Sequence, residues 1–539
     1  MILFNLPRFN SFSKYSHLGI LISSALCLLF LFTLGLGNAY LFDVDEGAFA
    51  EATREMLESK DWLHTTLNGA DRFDKPIGIY WLQALSVGLL GETEFAFRLP
   101  SALAGCFASL TMARFAYRQW GSQAAWIAGV ISATSLGPWA ISRTASADAL
   151  LGLFFVLIFF NLWRALESGE RKHGRFVALW IGLGLLVKGP IAIIVPVGTL
   201  LVSAAINSNF LVRVRSLIAD PIAWVIIICT AMPWYVYAYL RHGQLFIDGF
   251  LLKHNIERFT NSLEGHSGNW TYFFLALPVL WFPWSTLWVS ALFDLRRREK
   301  NPLLQFAWIW FAFVFLFFTL SNTKLPHYLL YASPAMCLLL VDASLSANRN
   351  TWKLTWLFGM LGLAAILCLP SVIQMHPDWI KDPFYQSLVL SSSTTDMRAW
   401  IFVFPIFFIT FSGLQFILEK LCFTAKIQNP CIGYSFFAIF QTTILSLFVL
   451  PWWSETLQSP VNTLAIHFKS EPANVVQWGV HLPSFSAYRQ QISPNRKPEP
   501  GELALVKNME IFWPSNWLIL ESKGPLSIIK RPIETDVHP

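Results

Sequence analysis

PIGIYWLQALSVGLLG (Pro76–Gly91) is the stretch on which the arrangement of the chain turns. As a helix its 16 residues would reach about 24 Å, short of a hydrocarbon core of about 30 Å. If it crossed a bilayer, every later loop would change sides. Around it lie longer apolar segments, near 18–38, 98–117, 123–141, 148–166, 176–188, 190–206, 222–240, 270–293, 303–321, 325–346, 353–374, 398–418 and 433–452. These predict thirteen spans. Basic residues decide how they are threaded. With 76–91 lying in the interface, 18 of the 39 lysines and arginines fall in short inner loops. They are Arg8, Lys14, Arg114/Arg118, Arg164/Arg171/Lys172/Arg175, Arg213/Arg215, Arg296–Arg298/Lys300, Arg349/Lys353 and Lys420/Lys426. The longer outer loops hold 13 and the tail after the last span holds 8. This is the positive-inside pattern, with the N-terminus in and the C-terminus out. Residues 176–206 could form one long tilted helix, but the basic clusters flanking them favour a hairpin through Lys188-Gly189-Pro190.

Composition agrees. The chain is 55% hydrophobic, 16% aromatic and 13% charged, with mean hydropathy +0.49, whereas soluble chains carry about 25% charged residues. The first apolar run is flanked by charge and followed by others, so it reads as an anchor and not a cleaved signal. A net charge of +6 without basic blocks interleaved with aromatics gives no nucleic-acid fingerprint. The seven cysteines lack C-x-x-C spacing and suggest neither a zinc knuckle nor a disulfide framework.

After about residue 455 the pattern changes. Segments 475–481, 502–507, 516–521 and 526–531 read as short strands, and 483–491 as a helix. The expected organisation is a membrane domain over 1–454 and a small α/β domain over 455–539 outside the membrane.

The conspicuous polar residues gather on the outer side of this topology: Asp43, Asp45, Glu46, Arg54, Asp74, Lys75, Arg143, Asp148, Lys188, His254, Arg258, His266, Lys324 and His327. Charges at membrane depth are costly and mark sites. The outer loop 39–97 begins with LFDVDEGAFAEATREML (Leu41–Leu57), where Ala48, Phe49, Ala52 and Met56 share a helical face. Such a helix would lie along the membrane surface. Asp45 stands where an N-cap belongs, a purely structural use worth about 0.5–2 kcal/mol, but the adjoining Asp43 and Glu46 point to a functional carboxylate. Lysines 75, 188 and 324 at span ends fit either snorkelling anchors or point charges for a lipid-linked phosphate. Asp148 opens a span, where an acid also complements the helix dipole. Asp45, Asp74, His254 and His266 could hold a divalent metal, although no tight ligand spacing supports this.

DVDEGAFAEATREMLESKDW, RFDKPIGIYWLQA, FAFRLPSALAG, LLVKGPIAIIVP, KHNIERF, YFFLALPVLWFPWS and SNTKLPHYLLYASPA follow one another over about residues 15–345. As an ordered set they resemble the bacterial aminoarabinose transferases that modify lipid A. They also resemble their protein O-mannosyltransferase-like relatives in the glycosyltransferase C superfamily. The resemblance implies an all-α polytopic inner-membrane enzyme with interfacial helices in its first outer loop. It would move a sugar from a polyprenyl-phosphate donor to lipid A or another envelope acceptor at the periplasmic face. It implies catalytic roles for Asp45, Asp148 and Lys75, and the charge pattern sets Arg54, Lys188, Arg258 and Lys324 beside Lys75 as candidates for the donor phosphate. Asp43, Glu46, Asp74, His254 and Tyr328 would support them. Asp74 departs from the pattern, since the lipid A enzymes usually carry glutamate before the lysine. Protein or oligosaccharide transfer is the alternative. A lipid-linked sugar flippase would call for an inverted repeat, and none is evident.

Overall fold

A computed structural model of the chain describes residues 14–261, 268–293, 301–392, 430–508 and 513–533. His266 and the apolar segment expected at 398–418 lie outside them. Helices occupy every other apolar segment. Among the described residues, seven are long and apolar enough to cross a membrane: Glu94–Trp120, Asp148–Ser168, Pro221–His242, Pro302–Leu320, Pro326–Ser346, Arg349–Met375 and Pro430–His467. A bent pair would make an eighth.

The other expected spans depart from straight helices for local reasons. The segment at 270–293 is two helices, Tyr272–Leu280 and one beginning at Ser285, that meet at 120°. The break falls at Phe282-Pro283, where proline removes a donor and restricts the preceding residue. The segment at 123–141 divides into Ser122–Thr134 and Leu136–Ile141 because Ser135 is extended, with ψ 131°. The segment at 176–206 is also two helices, Arg171–Lys188 and Ile191–Ile206. Gly189 breaks it with φ +78°, and the chain folds back so tightly that a Cβ on Gly184 would stand 2.9 Å from that of Ala192. The hairpin reading of this segment is the one the structure adopts.

The Asp148–Ser168 helix lies at the centre of the core. Its Phe155 and Phe159 pack against Trp310, whose indole N–H donates to the Tyr331 carbonyl at 2.9 Å. That contact fixes Tyr331 beneath the start of the helix. The stretch Pro76–Gly91 becomes a helix only over Gly78–Leu90, 13 residues long. Ile79, Tyr80, Gln83 and Ala84 are buried while Leu82, Leu85 and Leu89 are exposed, a stripe suited to a lipid interface.

The first outer loop differs most from expectation. The Asp45–Ser59 helix is buried from Glu46 to Met56, its charged residues included, and is not an amphipathic helix lying on a surface. A two-stranded hairpin covers one side, β1 (Thr66–Leu67) paired antiparallel with β2 (Ala70–Asp71). Its turn is Asn68-Gly69, with φ +53° and +79°, the left-handed pair that tight hairpins favour. Buried Glu55 ties the hairpin down by accepting from the Thr66 hydroxyl and the Gly69 N–H.

Near the C-terminus, residues 430–467 form one helical run with a π segment at Leu445–Val449. Its 38 residues extend about 57 Å, nearly twice the hydrocarbon thickness. The span expected to end near 452 therefore continues to His467, and the boundary expected at 455 falls inside a helix. Beyond it come β3 (Val475–Gln477), a helix at Pro483–Arg489, β4 (Leu503–Lys507), β5 (Leu518–Lys523) and β6 (Leu526–Lys530). The sheet order is β3-β4-β6-β5, with β3 and β4 parallel and the other pairs antiparallel. Val475, Leu503, Leu505, Leu526 and Ile528 cover Val461, Leu464 and Ala465 of the long helix and Phe384 and Leu388 of the Pro383–Ser391 helix. The alternate residues Val476, Ala504, Val506 and Ile529 form a second layer with Trp478, Trp513 and Trp517. This is period-two strand patterning buried on both faces.

Candidate active site

The helix opening at Asp148 meets the end of the Arg171–Lys188 helix, and their terminal charges pair. The Lys188 ammonium donates to Asp148 Oδ1, and the Tyr331 hydroxyl donates to the same oxygen at 3.3 Å. His327 Nε2 stands 3.8 Å away, and Lys188 Nζ lies 5.6 Å above the Tyr331 ring. Both partners of the pair are nearly closed to solvent, with 11% and 12% of their side chains exposed. Such a pair is costly to assemble and damaging to break from one side.

Lys75 comes to this cluster from the first outer loop. Its ammonium donates to the Asp74 carbonyl at 3.2 Å. Burial pushes its pKa down to about 8, and the neighbouring charges of Lys188 and Arg258 push the same way. Burial alone would raise the Asp74 carboxyl. The hydrogen bond from His254, with the charges of Arg72 and Lys75, instead holds it well below the usual carboxylate range. His254 Nε2 and Asp74 Oδ1 are 2.9 Å apart. Arg72 reaches Asp74 at 3.5 Å, donates to the Ala48 carbonyl at 3.0 Å and stacks over Phe49. Asp45 completes the group from the exposed start of its helix, within electrostatic reach of His327, as is Arg258. Lys188 and Arg258 thus lie within electrostatic reach of Lys75, and Asp45 and Asp148 within reach of His327. Asp148 also lines a small pocket. It is mainly apolar, lined by Ala108, Pro138, Ile141, Leu153 and Val156 together with Asp148, His327 and Tyr331.

Several expected site residues have other work. Asp45 is the first helical residue and not the cap; that position is Val44, whose side chain makes no capping bond. Glu46 is buried, and both its oxygens are used. They accept from Arg98 Nε and Nη2 at 2.8 and 2.7 Å, from the Ala145 N–H at 2.7 Å and from the Phe42 N–H at 3.0 Å. Arg54 is turned along its own helix toward Glu51 and Glu58, at 2.7 Å each, and does not reach the cluster of cations. Lys324 donates to the Thr319 and Ser321 carbonyls at 2.8 and 2.7 Å. It closes the C-terminus of the preceding helix, where a cation also opposes the dipole. Asp43 accepts from the backbone N–H of Ser484 at 2.9 Å and from its hydroxyl. Tyr328 packs against Phe318 and His327, and it is Tyr331 that bonds Asp148. Of the four residues expected to share a metal, Asp74 and His254 meet as a pair, while Asp45 lies with His327 and His266 is outside the described residues.

Arg98, Arg72 and Tyr331 escaped the sequence reading of the site. Each sits in a quoted motif, but Glu46 for Arg98, Ala48 for Arg72 and Asp148 for Tyr331 are remote in sequence, and only the fold joins them. Arg98 alone donates to the Leu36, Ala39 and Tyr40 carbonyls as well as to Glu46.

A family model described as dolichyl-phosphate-mannose-protein mannosyltransferase matches residues 74–237. The undecaprenyl phosphate-alpha-4-amino-4-deoxy-L-arabinose arabinosyl transferase of Pectobacterium atrosepticum is 29% identical over 400 residues, covering 70% of each chain. Its counterpart from Aeromonas hydrophila is 28% identical over 65% of each. The crystal structure of ArnT from Cupriavidus metallidurans bound to undecaprenyl phosphate superposes with TM-score 0.78 at 18% identity, over 96% of this chain and 98% of that one. The apo form of the same protein gives 0.74. The chain is thus similar in sequence to the aminoarabinose transferases over about two thirds of its length, similar over residues 74–237 to the dolichyl-phosphate-mannose-protein mannosyltransferases, and shares the ArnT fold.

Proposed function

We propose that the chain is an inner-membrane glycosyltransferase moving 4-amino-4-deoxy-L-arabinose from undecaprenyl phosphate to lipid A at the periplasmic face. The observation that carries this reading is the convergence of Lys75, Lys188 and Arg258 near Asp148, which itself lines a mainly apolar pocket. Cations gathered near apolar surface suit a ligand with a phosphate head and an apolar carrier. The activities of the relatives supply the sugar and the carrier, as their names state them.

In the reaction an acceptor oxygen attacks C1 of the sugar while the C1–O bond to the carrier phosphate breaks. The bonding pair leaves with undecaprenyl phosphate, and direct displacement inverts the anomeric centre. Lys75 and Arg258 neutralise the charge that grows on the leaving phosphate, a contribution that is commonly the largest in such sites. Asp148 holds Lys188 in place and is more a positioning residue than a base. Asp45, exposed and close to His327, takes the proton from a hydroxyl acceptor. If the acceptor is a phosphate of lipid A it arrives ionised, and Asp45 then orients it.

The test uses membranes supplied with radiolabelled polyprenyl-phosphate sugars, followed by separation of lipid, glycan and protein fractions. Label in lipid A, lost in Asp45→Asn and Lys75→Ala at unchanged expression, supports the reading. Full activity in either variant sinks the residue roles, and no transfer from any donor sinks the enzyme. Label in the protein fraction would favour the second reading, a protein glycosyltransferase, for which the mannosyltransferase family match speaks.

A further inference from the structure

Away from the Asp148 cluster, the first outer loop rests on the end of the Pro221–His242 helix through an unusual set of side chains. His64 Nε2 lies 3.0 Å from Asp71 Oδ1, and His242 Nδ1 lies 3.5 Å from Asp71 Oδ2. The two imidazole rings face each other with centroids 4.4 Å apart. Each imidazole is 10% exposed. His242 Nε2 is buried without a hydrogen-bond partner among the described residues. A carboxylate and two stacked imidazoles do not satisfy one another fully, because an imidazole nitrogen hidden from water needs a partner.

We infer that His64, Asp71 and His242 form a transition-metal site of the Zn²⁺ class. One ligand atom from each of the three can be chosen so that all lie within 4.8 Å of one another. Ligands about 2.0–2.1 Å from a tetrahedral ion stand roughly 3.4 Å apart, so modest side-chain rotations close the set. Two imidazoles and one carboxylate suit zinc, cobalt or nickel better than magnesium or calcium, which favour oxygen alone. The fourth position is left to water.

The location assigns the metal a purpose. His64 precedes β1, Asp71 ends β2, and His242 ends the apolar helix, so the ion clamps the hairpin to that helix. Arg241 pairs with Asp61, and the Trp234 indole donates to the Leu63 carbonyl at 3.0 Å, joining the same two surfaces. Lys75 lines one pocket with His64, Arg72 and His242, so the clamp also fixes the rim from which Lys75 projects. The site is separate from the Asp74–His254 pair.

The test is metal binding by the full chain, purified in detergent and stripped with chelator. One equivalent of Zn²⁺ is expected by elemental analysis after re-addition and desalting. Co²⁺ should give the visible absorption of a tetrahedral ion, and Zn²⁺ but not Mg²⁺ should raise the unfolding temperature. His64→Ala and His242→Ala should each weaken Zn²⁺ binding by about 100-fold or more. Asp71→Asn, at a half-exposed carboxylate, should weaken it in a protein that still folds, and His254→Ala should retain the full equivalent. No bound equivalent, undiminished binding in the two histidine variants and Asp71→Asn, or loss in His254→Ala alone would each overturn the assignment.

Discussion

Lys75 is a lysine held against its preference for charge. A pKa of about 8, against about 10.4 for a free lysine, means that the unfolded chain binds more protons than the folded one between those values. The stability contributed here therefore rises with pH over that window, and at neutral pH the charged Lys75 is a net cost. Lys75→Met should raise the unfolding temperature at pH 7 by about 2 °C or more while abolishing transfer. A variant that loses activity and stability together would contradict this. The same shift gives kcat/KM for the donor an alkaline limb, falling about tenfold per pH unit above about 8 as the ammonium deprotonates. Lys75→Arg, if it transfers at all, should push that limb upward, since a guanidinium stays charged. Glu46 behaves in the opposite sense. With both Glu46 and Arg98 side chains 3% exposed, Glu46→Ala strands a buried guanidinium and should cost about 3–5 kcal/mol, read as loss of folded protein in detergent. Asp45→Asn, one residue earlier and exposed, should leave stability unchanged. Three acids within four residues look alike in sequence. What separates them is Arg98, Ala145 and Ser484, partners that no local pattern reveals.

At the scale of elements, residues 39–97 are held by the C-terminal segment as well as by the apolar helices. The Pro483–Arg489 helix lies on the Asp45–Ser59 helix so closely that a Cβ on Gly47 would stand 2.5 Å from the Ser484 nitrogen and 2.3 Å from Asp43 Oδ1. Gly47→Ala should therefore undo this docking. Tyr488 adds a hydroxyl that accepts from the Leu41 N–H and donates to Glu94, at 2.7 and 3.0 Å. Asp43 makes the contact sensitive to pH. Burial raises its carboxyl to about 7, although the bonds from Ser484 pull it down. Its folded pKa thus lies above the unfolded one, so the stability it contributes is full below about 4 and is lost as pH rises through 7. The unfolding temperature should fall between about pH 4 and pH 7, and Asp43→Asn should flatten that slope; an unchanged slope would refute the assignment. In the sequence, the strands and helix of the C-terminal segment were legible from alternation and turn residues. The hairpin at Asn68-Gly69 was legible too, through its dipeptide, but went unread. The covering of the Asp45–Ser59 helix was not legible, because its charged face looks solvent-bound until Glu51 meets Arg54 and Glu55 meets the hairpin.

Across the whole molecule, hydropathy marked where helices form because apolar length is a local property. It did not mark where they bend, since Phe282-Pro283, Ser135 and Gly189 break segments that composition shows as continuous. Nor did it show that the last apolar helix continues to His467, because its C-terminal half is masked by Gln458, Ser459 and Asn462. That extension makes the long helix a post on which the sheet is built, and the sheet in turn holds the loop that delivers Asp45 and Lys75. A chain ending after Phe468 tests this linkage. It would retain every apolar helix and so should insert normally. It would also lose the strand residues that cover Val461, Leu464 and Phe384, and with them Ser484, Ser486 and Tyr488. Residues 39–97 should then become open to protease added from the outer side, at sites protected in the full chain. Since a misplacement of about 1 Å at a reacting centre can cost about 100-fold, transfer should drop by at least that factor with the insertion unchanged. A truncated chain that keeps its activity and its protease resistance would show that the membrane helices position the loop unaided.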